Sequence, residues 1–309
     1  MKGIELSEKL FFDFFLPAVR VGCPEALPHF AAGLVGRGSE CFSFDDDLSQ
    51  DHDFFDGFYI WLNNENDIKY GVKLHRIYKE ITEKHGTKPK SQGLGFCPRG
   101  VVTIEEFFMN FIGSRRLPKT SAEWFSLPSY ALAEATNGKI FYDGNGEFSA
   151  TQNELKNMPE EVRLKKISAA LANAAQSGQY NFERTIRHGE IAAAAFSLHE
   201  FVQNAAEIIF LLNRQYMPYY KWAIKGLKNL DILNEEAENL EFLITAETSA
   251  ETHLKKVAAI EKTAQKIASY LSAAGLSSTD SPLLDEQAFS VRKRIQDDYL
   301  LSLHIMEKE

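Results

Sequence analysis

The segment from Leu34 to Leu62 constrains the fold of this chain more than any other, because it places two close carboxylates between a glycine turn and an aromatic run. Gly38-Ser39 closes an apolar stretch, a loop of 11 residues follows, and Asp51 and Asp53 then flank a histidine. Side chains alternate between the two faces of an extended strand, so both aspartates lie on one side of it. Carboxylates at this spacing repel each other unless a cation lies between them, and paired oxygen ligands suit a hard ion such as Mg²⁺. The segment therefore predicts a metal site at Asp51 and Asp53.

Gly38 and Ser39 are the residue types expected in a phosphate-binding turn. Glycine allows the backbone to approach a ligand closely, and the Ser39 hydroxyl can hold phosphate oxygens together with neighbouring backbone amides.

A surface pair on an edge strand is the alternative interpretation of Asp51 and Asp53, and it stays open. The Gly-Ser turn upstream favours the metal-binding interpretation, because the support then comes from a motif and not from the acidic pair alone.

The order of Gly38-Ser39, a loop and Asp51-x-Asp53 on a strand resembles the signature of the polymerase-β-type nucleotidyltransferases. Three segments narrow this resemblance: GRGSECFSFDDDLSQDHDF, YNFERTIRHGE and IFLLNRQYMPYYKW. They resemble a bacterial family described only as a domain of unknown function, in which a nucleotidyltransferase-like domain precedes a helical domain like that of kanamycin nucleotidyltransferase. The similarity covers most of residues 30 to 230, and three motifs in the right order are stronger support than an acidic pair.

A third carboxylate is implied by this resemblance, on a later central strand where it completes the metal site or deprotonates the acceptor hydroxyl. The corresponding strand is predicted at Val101 to Ile104. Arg99-Gly100 occupies the preceding position, where related aminoglycoside adenylyltransferases carry an acid, and Glu105 at the other end of the strand is the remaining catalytic candidate. The alternative interpretation of Glu105 is an acidic residue that begins a helix, where the helix dipole favours it.

The resemblance also implies that cationic and aromatic side chains of the predicted helical domain contact the nucleotide. In the two-domain transferases, this face of the helical domain lies opposite the nucleotide. Arg187 suits bidentate contact with phosphate and Lys221 suits a point contact, whereas Tyr220 can stack on a base. For Tyr220 the alternative interpretation is an ordinary aromatic residue at the core or rim of the domain.

Length and composition are those of an ordinary globular protein with about two domains. The chain has 309 residues, of which 44% are hydrophobic and 25% are charged. Its formal net charge of −9 argues against a protein whose main task is to coat nucleic acid, because such proteins need a cationic surface. No segment approaches the roughly 18 apolar residues that a membrane helix requires.

A cytoplasmic location is predicted from the N-terminal segment and from the cysteines. Glu5, Glu8 and Asp13 interrupt the apolar residues near the N-terminus, so no signal peptide is predicted. The three cysteines are too few and too scattered for a disulfide framework or a zinc site, which agrees with a reducing compartment.

Hydrophobic periodicity predicts an α+β domain over residues 1–150, with a small mixed sheet and helices, followed by an all-α helical bundle over residues 151–309. In the first domain, helices are predicted at 4–16, 24–32, 67–85 and 105–112, and strands at 51–53, 58–62, 101–104 and 139–142. A first strand or a strand followed by a turn is predicted at 34–38. In the second domain, helices are predicted at 160–177, 180–214, 218–229, 233–246, 250–274 and 284–306.

The resemblance implies a Mg²⁺-dependent enzyme that moves a nucleoside monophosphate from ATP or another nucleoside triphosphate to a hydroxyl group on a small molecule or a protein. A monomer or a homodimer is expected, with no membrane partner. The missing acid before Val101 favours a second hypothesis, in which the chain is a nucleotide-binding regulator or an antitoxin-like partner protein with weak catalytic activity.

Overall fold

The computed structural model describes residues 1–46, 56–86, 99–249 and 252–309, which form two compact units. The first unit contains Met1–Leu117 and Ala131–Asn157, and the second contains Pro118–Tyr130 and Met158–Glu309. The segment Pro118–Tyr130 thus belongs with residues that follow much later in the chain. The predicted division into domains at residue 150 stays a prediction.

Helices account for most of the described residues. The earlier α-helices are α1 (Gly3–Leu10), α2 (Leu16–Gly22), α3 (Asn64–Asn66), α4 (Val72–His85), α5 (Ile104–Ile112), α6 (Ser121–Phe125), α7 (Ser129–Thr136) and α8 (Glu147–Lys156). The later ones are α9 (Glu160–Ala174), α10 (Glu183–Arg187), α11 (Ile191–Leu212), α12 (Tyr220–Leu227), α13 (Glu236–Thr245), α14 (His253–Ala273), α15 (Leu284–Arg292) and α16 (Asp298–Ser302).

The first helical segment is longer than its sequence pattern indicates. A π-helical turn, Phe11–Phe15, joins α1 to α2, and Pro17 lies in the first turn of α2. Proline lacks the N–H that a helix interior uses, and the π-helical turn directly before Pro17 changes the hydrogen-bond pattern at this point. The prediction that this helix ends at Pro17 is therefore wrong.

Four strands form one mixed sheet in the first unit: β1 (Ala31–Leu34), β2 (Tyr59–Leu62), β3 (Val101–Thr103) and β4 (Lys139–Asp143). Their order across the sheet is β3-β2-β1-β4. Strand β1 is antiparallel to both β2 and β4, whereas β2 and β3 are parallel. This sheet with its helices, and the helical second unit, confirm the predicted fold class of an α+β region followed by a helical bundle.

The register determines which loops share an end of the sheet. Gly33 pairs with Tyr59, and Ile60 pairs with Val101, so the carboxyl end of β1 lies beside the amino ends of β2 and β3. Of the strand or strand-turn predicted at 34–38, the structure has the turn, because β1 covers Ala31–Leu34 and the following residues are not in a strand. That turn therefore lies at the same end of the sheet as the segments that enter β2 and β3.

Alternate residues around β2 face two different cores, as the pleat of a strand requires. On one face, Phe58 makes edge-to-face contacts with Phe11 and Phe15, with ring centroids 5.5 and 5.3 Å apart. On the other face, Trp61 stacks on Phe148 of α8 at 3.7 Å. All five rings are buried, so helices cover both faces of the sheet at this point.

The second unit is built around α9 and α11. Leu164, Ile167 and Leu171 of α9 are buried, as are Phe201 and Ile208 of α11. Burial of a side chain of this size stabilises the folded state by about 1.5–3 kcal/mol. These two helices therefore form the centre of the unit.

The single helix predicted at 180–214 is divided in the structure. Helix α10 ends at Arg187 and α11 begins at Ile191. Between them Gly189 has a φ of 73°, in the left-handed region where helices commonly end. Among the described residues, none of the helices combines the length and the apolar character needed to cross a bilayer.

Candidate functional site

The turn after β1 depends on two glycines with positive φ. Gly36 has a φ of 124° and Gly38 a φ of 115°, and a 3₁₀ turn, Ser39–Phe42, begins directly afterwards. A Cβ atom on Gly38 would lie 2.6 Å from both carboxylate oxygens of Glu40. Because side chains rarely adopt such angles and a methyl group would displace the Glu40 carboxylate, glycine is favoured at position 38. We refer to residues 36–39 as the glycine turn.

Residues close to β4 and α5 hold the glycine turn in place. The N–H of Gly36 donates to Oδ1 of Asn137 at 2.8 Å, and Nδ2 of Asn137 donates to the Gly36 carbonyl at 2.8 Å. Nε of Arg37 donates to Glu134 at 3.3 Å, and the guanidinium lies 5.6 Å from the ring centroid of Phe111. Burial raises the pKa of Glu134, and the neighbouring Arg37 opposes that rise. These contacts involve Gly36 and Arg37 only. Among the described residues, no side chain forms a hydrogen bond with the backbone of Gly38 or Ser39.

Ser39 is partly exposed at the start of the 3₁₀ turn. Its carbonyl accepts a hydrogen bond from the N–H of Phe44 at 2.8 Å. Within the described part of the chain, its hydroxyl has no hydrogen-bond partner. A serine hydroxyl can both donate and accept, so this group is available to a ligand.

Arg99 lies directly before β3 and forms a buried ion pair with Glu40. The side chains are only 8% and 9% exposed, and NH2 of Arg99 donates to Oε1 of Glu40. NH1 of Arg99 also donates to the Gly57 carbonyl at 3.1 Å. This pair connects the residue after Ser39 to the entry of β3, at the end of the sheet where the glycine turn lies.

Sequence reasoning missed the part that Glu40 plays. The residues of the pair are separated by 59 positions, so no periodic pattern relates them. One signal was present, namely an arginine directly before the β-branched strand that begins at Val101. A buried cation needs an acidic partner, but the sequence does not say which acid supplies it.

Cys41 lies in the 3₁₀ turn close to this ion pair. Its thiol is buried, and burial raises its pKa well above the ordinary range. Sγ lies 3.4 Å from the Arg37 carbonyl. Since the thiolate is the reactive form of cysteine, burial disfavours a nucleophilic role for Cys41.

Asp45 has a structural role at the start of α1. Its Oδ2 accepts a hydrogen bond from the N–H of Gly3 at 2.8 Å, and the ammonium of Lys2 lies 3.8 Å from Oδ1. Carboxylates stabilise helix N-termini because they satisfy free N–H groups and complement the helix dipole.

The predicted metal ligands Asp51 and Asp53 lie outside the described residues. The described chain resumes at Asp56, shortly before β2 begins at Tyr59. Among the residues that the structure describes, no group of three or more histidine, cysteine, aspartate or glutamate side chains is arranged to hold a metal ion. The metal site therefore stays a prediction.

Glu105 lies at the opposite end of the sheet from the glycine turn. It follows the carboxyl end of β3, which pairs with the carboxyl end of β2, and these strands span about 10 Å. Glu105 belongs to the first turn of α5, whose N-terminus is capped by Thr103 through a 3.1 Å bond from the N–H of Glu106. The structure does not bring Glu105 together with Gly38 and Ser39. Glu105 lies in the first turn of a helix, as its alternative interpretation predicts.

A separate cavity of about 200 Å³ contains Glu105. Asn63, Arg115 and Glu147 also line it, and Nδ2 of Asn63 donates to Glu147 at 2.9 Å. This cavity belongs to the first unit, at the end of the sheet away from the glycine turn.

The three predicted nucleotide contacts of the second unit are exposed. Arg187 forms an ion pair with Glu183 on its own helix at 2.6 Å. Lys221 has its ammonium 5.6 Å from the ring centroid of Trp222. Tyr220 is 63% exposed and lines a cavity of about 250 Å³ that neither Arg187 nor Lys221 reaches. The structure thus does not gather these three residues at one cavity.

Comparisons with known proteins give two matches. A family model described as Domain of unknown function (DUF4037) matches residues 124–223, which is less than half of the chain. This match contains the segments 180–190 and 209–222 that carry the sequence resemblance, whereas the segment 36–54 lies outside it. No curated protein matches the chain.

A solved structure is also similar to this chain. It is a nucleotidyltransferase-like protein from Exiguobacterium sibiricum, which is 14% identical and has a TM-score of 0.36. The likeness covers 84% of this chain and 78% of the other. A TM-score this low carries no argument about activity, so the functional argument depends on the residues themselves.

Proposed function

We propose that this chain is a Mg²⁺-dependent nucleotidyltransferase, which moves a nucleoside monophosphate from ATP or another nucleoside triphosphate to a hydroxyl group of a small molecule or a protein. The observation that carries the proposal is the glycine turn. It combines two glycines of positive φ with a serine whose hydroxyl is free of partners among the described residues. It also lies at the end of the sheet where the chain enters β2.

The glycine turn suits phosphate oxygens for steric reasons. Gly38 presents only backbone to a ligand, because the carboxylate of Glu40, neutralised by Arg99, lies where a Cβ would be. Successive backbone N–H groups in such turns form concave sites for anions. The Ser39 hydroxyl adds a donor for the terminal phosphates.

Asp51 and Asp53 are proposed to hold the metal ion. When bound, Mg²⁺ would neutralise charge on the triphosphate and on the pyrophosphate that leaves. The chain's own residues would hold the triphosphate so that the acceptor hydroxyl attacks the α-phosphorus in line, and the oxygen that joins α- and β-phosphorus leaves with pyrophosphate. The free oxygen ligands for the ion would come from the acidic pair, because Glu40 is committed to Arg99.

The test is incubation of the protein with each nucleoside triphosphate and Mg²⁺, with pyrophosphate and the masses of protein and products measured. Asp51→Asn and Asp53→Asn should abolish metal-dependent transfer with little loss of stability, because each removes one of two charges that the ion needs. Asp13→Asn is the matched control, since it removes an exposed carboxylate of the same unit. Full metal-dependent triphosphate binding by the Asp51→Asn, Asp53→Asn double variant would contradict the proposal.

A second function is favoured by the ion pair of Arg99 and Glu40. An arginine stands before β3, where related transferases carry an acid, and its charge is neutralised by Glu40. The alternative is therefore a regulator that binds a nucleoside triphosphate but lacks a base for the acceptor hydroxyl. Metal-dependent binding of triphosphate with no pyrophosphate release from any nucleotide would support this alternative over the enzyme.

A further inference from the structure

A cavity in the second unit has walls of mixed chemistry that the proposed function does not use. Its volume is about 250 Å³, which suits a group of several heavy atoms. Its lining includes the side chains of Tyr130, Gln203, Glu207, Tyr219 and Tyr220, together with Lys166, Lys308 and Glu309. We refer to it as the tyrosine cavity.

Three aromatic rings form one wall of the tyrosine cavity. Tyr219 lies between the other two, with its ring centroid 6.2 Å from Tyr130 in an edge-to-face arrangement and 4.3 Å from Tyr220 at a tilt of 44°. All three rings are partly exposed. The faces of such rings carry negative potential and attract cations, most strongly where several rings converge.

A carboxyl group on α11 forms the polar part of the cavity. The hydroxyl of Ser129 donates to Oε1 of Glu207, and this is the one hydrogen bond that the described residues give to this carboxyl. Burial raises the pKa of Glu207, although Ser129, Lys166 and Lys308 oppose the rise. A partly buried carboxylate that forms no ion pair among the described residues is stabilised by an added cation.

The two lysines at this cavity are committed to other groups. The ammonium of Lys166 donates to the carbonyls of Leu127 at 3.1 Å and Lys308 at 3.2 Å. The ammonium of Lys308 donates to Asn204 at 3.2 Å and lies 3.8 Å from Glu200. Neither forms an ion pair with Glu207 in the described structure. Both lysines line the cavity and lower the pKa of Glu207, but their hydrogen bonds go to other groups.

We infer that the tyrosine cavity binds a small organic cation, with a protonated primary amine held between the rings of Tyr130, Tyr219 and Tyr220 and the carboxyl of Glu207. The rings contact the charged group through their faces, the carboxylate accepts its N–H bonds, and the amide of Gln203 is within the same lining. The lining holds two lysines and the carboxylates of Glu207 and Glu309. Because both ammonium groups already donate to oxygen atoms of the protein, the groups left for a ligand are the carboxylates and the rings, and these favour a cation. The inference is independent of nucleotide transfer at the glycine turn.

The experiment titrates the full chain with 1,5-diaminopentane and, separately, with its neutral counterpart 1,5-pentanediol, using calorimetry. The diamine should bind with one site per chain, and the diol should bind at least tenfold more weakly because it lacks the charge. Equal affinity for the two compounds, or no binding of the diamine, would overturn the inference.

Two pairs of variants then locate the site. Glu207→Gln should weaken diamine binding at least tenfold, whereas Glu238→Gln, which removes an exposed charge from the same unit, should leave it unchanged. Tyr219→Leu should weaken it several-fold, whereas Tyr219→Phe keeps the ring face and should bind like the wild type. If Glu207→Gln fails to fold, the Tyr219 pair decides the matter alone. Wild-type affinity in both Glu207→Gln and Tyr219→Leu would show that the diamine binds elsewhere, and the tyrosine cavity would not be its site.

Discussion

Gly38 is a residue whose identity follows from both its backbone and its neighbour. Its φ of 115° excludes ordinary side chains, and the carboxylate that a Cβ would meet is held in place by Arg99. The same two facts make the turn rigid, and rigidity is what a site for phosphate needs, since groups held in place beforehand lose little entropy on binding.

We predict that Gly38→Ala lowers the free energy of unfolding by about 2–4 kcal/mol, because it adds a steric clash to an unfavourable backbone angle. Gly146→Ala is the control, since Gly146 has a φ of 75° and no atom near the position of a Cβ. It should cost about 1 kcal/mol, from the backbone term alone. Urea unfolding measures both, and equal losses would show that Glu40 moves aside.

The buried pair of Arg99 and Glu40 allows a second prediction at this scale. Arg99→Met should cost about 3–5 kcal/mol, because it leaves a carboxylate buried without its partner. The double variant Arg99→Met, Glu40→Gln should recover much of that loss, since no uncompensated charge remains. A double-mutant cycle by urea unfolding gives the coupling energy. Additive losses would mean that the two residues do not depend on each other.

At the scale of elements, the last residues of the chain lie on α9 and are held there by side chains. The ammonium of Lys165 donates to the carbonyls of His304 at 3.1 Å and Glu307 at 2.5 Å, and Nδ2 of Asn173 donates to the Met306 carbonyl at 2.8 Å. Residues 304–309 form neither a helix nor a strand, so side chains of α9 supply hydrogen-bond donors for their backbone carbonyls.

Lys165 also makes the stability of this attachment dependent on pH. Burial lowers the pKa of Lys165 to about 8, and the nearby charges of Arg292 and Lys166 act in the same direction while Glu307 opposes them. The unfolded chain, with an ordinary lysine pKa near 10.4, holds more protons than the folded chain between about pH 8 and pH 10. Stability therefore rises with pH across this window.

We predict that wild type gains stability relative to Lys165→Met as the pH is raised from 7 to 9.5. Only the wild type can release the buried proton over that range, so the difference between the two free energies of unfolding isolates this group. At pH 7, Lys165→Met should cost about 1–3 kcal/mol, because carbonyls lose their donor. Lys225→Met, at an exposed lysine of the same unit, should show no such dependence.

At the scale of the whole molecule, each unit has its own buried core. In the first core, Trp61 stacks on Phe148. In the second, Trp124 is buried, as are the inward-facing side chains of α9 and α11. Chains of this kind commonly unfold in more than one transition. The three tryptophans allow the units to be followed separately, because Trp222 also belongs to the second unit.

We predict that Mg²⁺ with a nucleoside triphosphate raises the unfolding midpoint reported by Trp61 in a Trp124→Phe, Trp222→Phe variant. A ligand present at 100 times its Kd stabilises the state that binds it by about 2.7 kcal/mol. In a Trp61→Phe variant, the unfolding midpoint reported by Trp124 and Trp222 should be the same with and without the ligand. A shift of the second signal alone would place the nucleotide in the helical unit and contradict the glycine turn as its site.

The sequence by itself determined the local features of this protein. The aromatic run after Asp56-Gly57 predicted β2, and the β-branched run predicted β3, each to within one residue, because strand preference depends on near neighbours alone. Helical periodicity predicted the bundle for the same reason.

Tertiary structure decided everything that depends on residues far apart in the chain. It paired Arg99 with Glu40 and Asn137 with Gly36, across 59 and 101 positions, and it carried the first helix past Pro17. Strand order and register also placed Glu105 at the far end of the sheet, and the packing of separate helices formed the tyrosine cavity. Periodicity tells which face of an element is buried, but only packing determines which distant residues meet there.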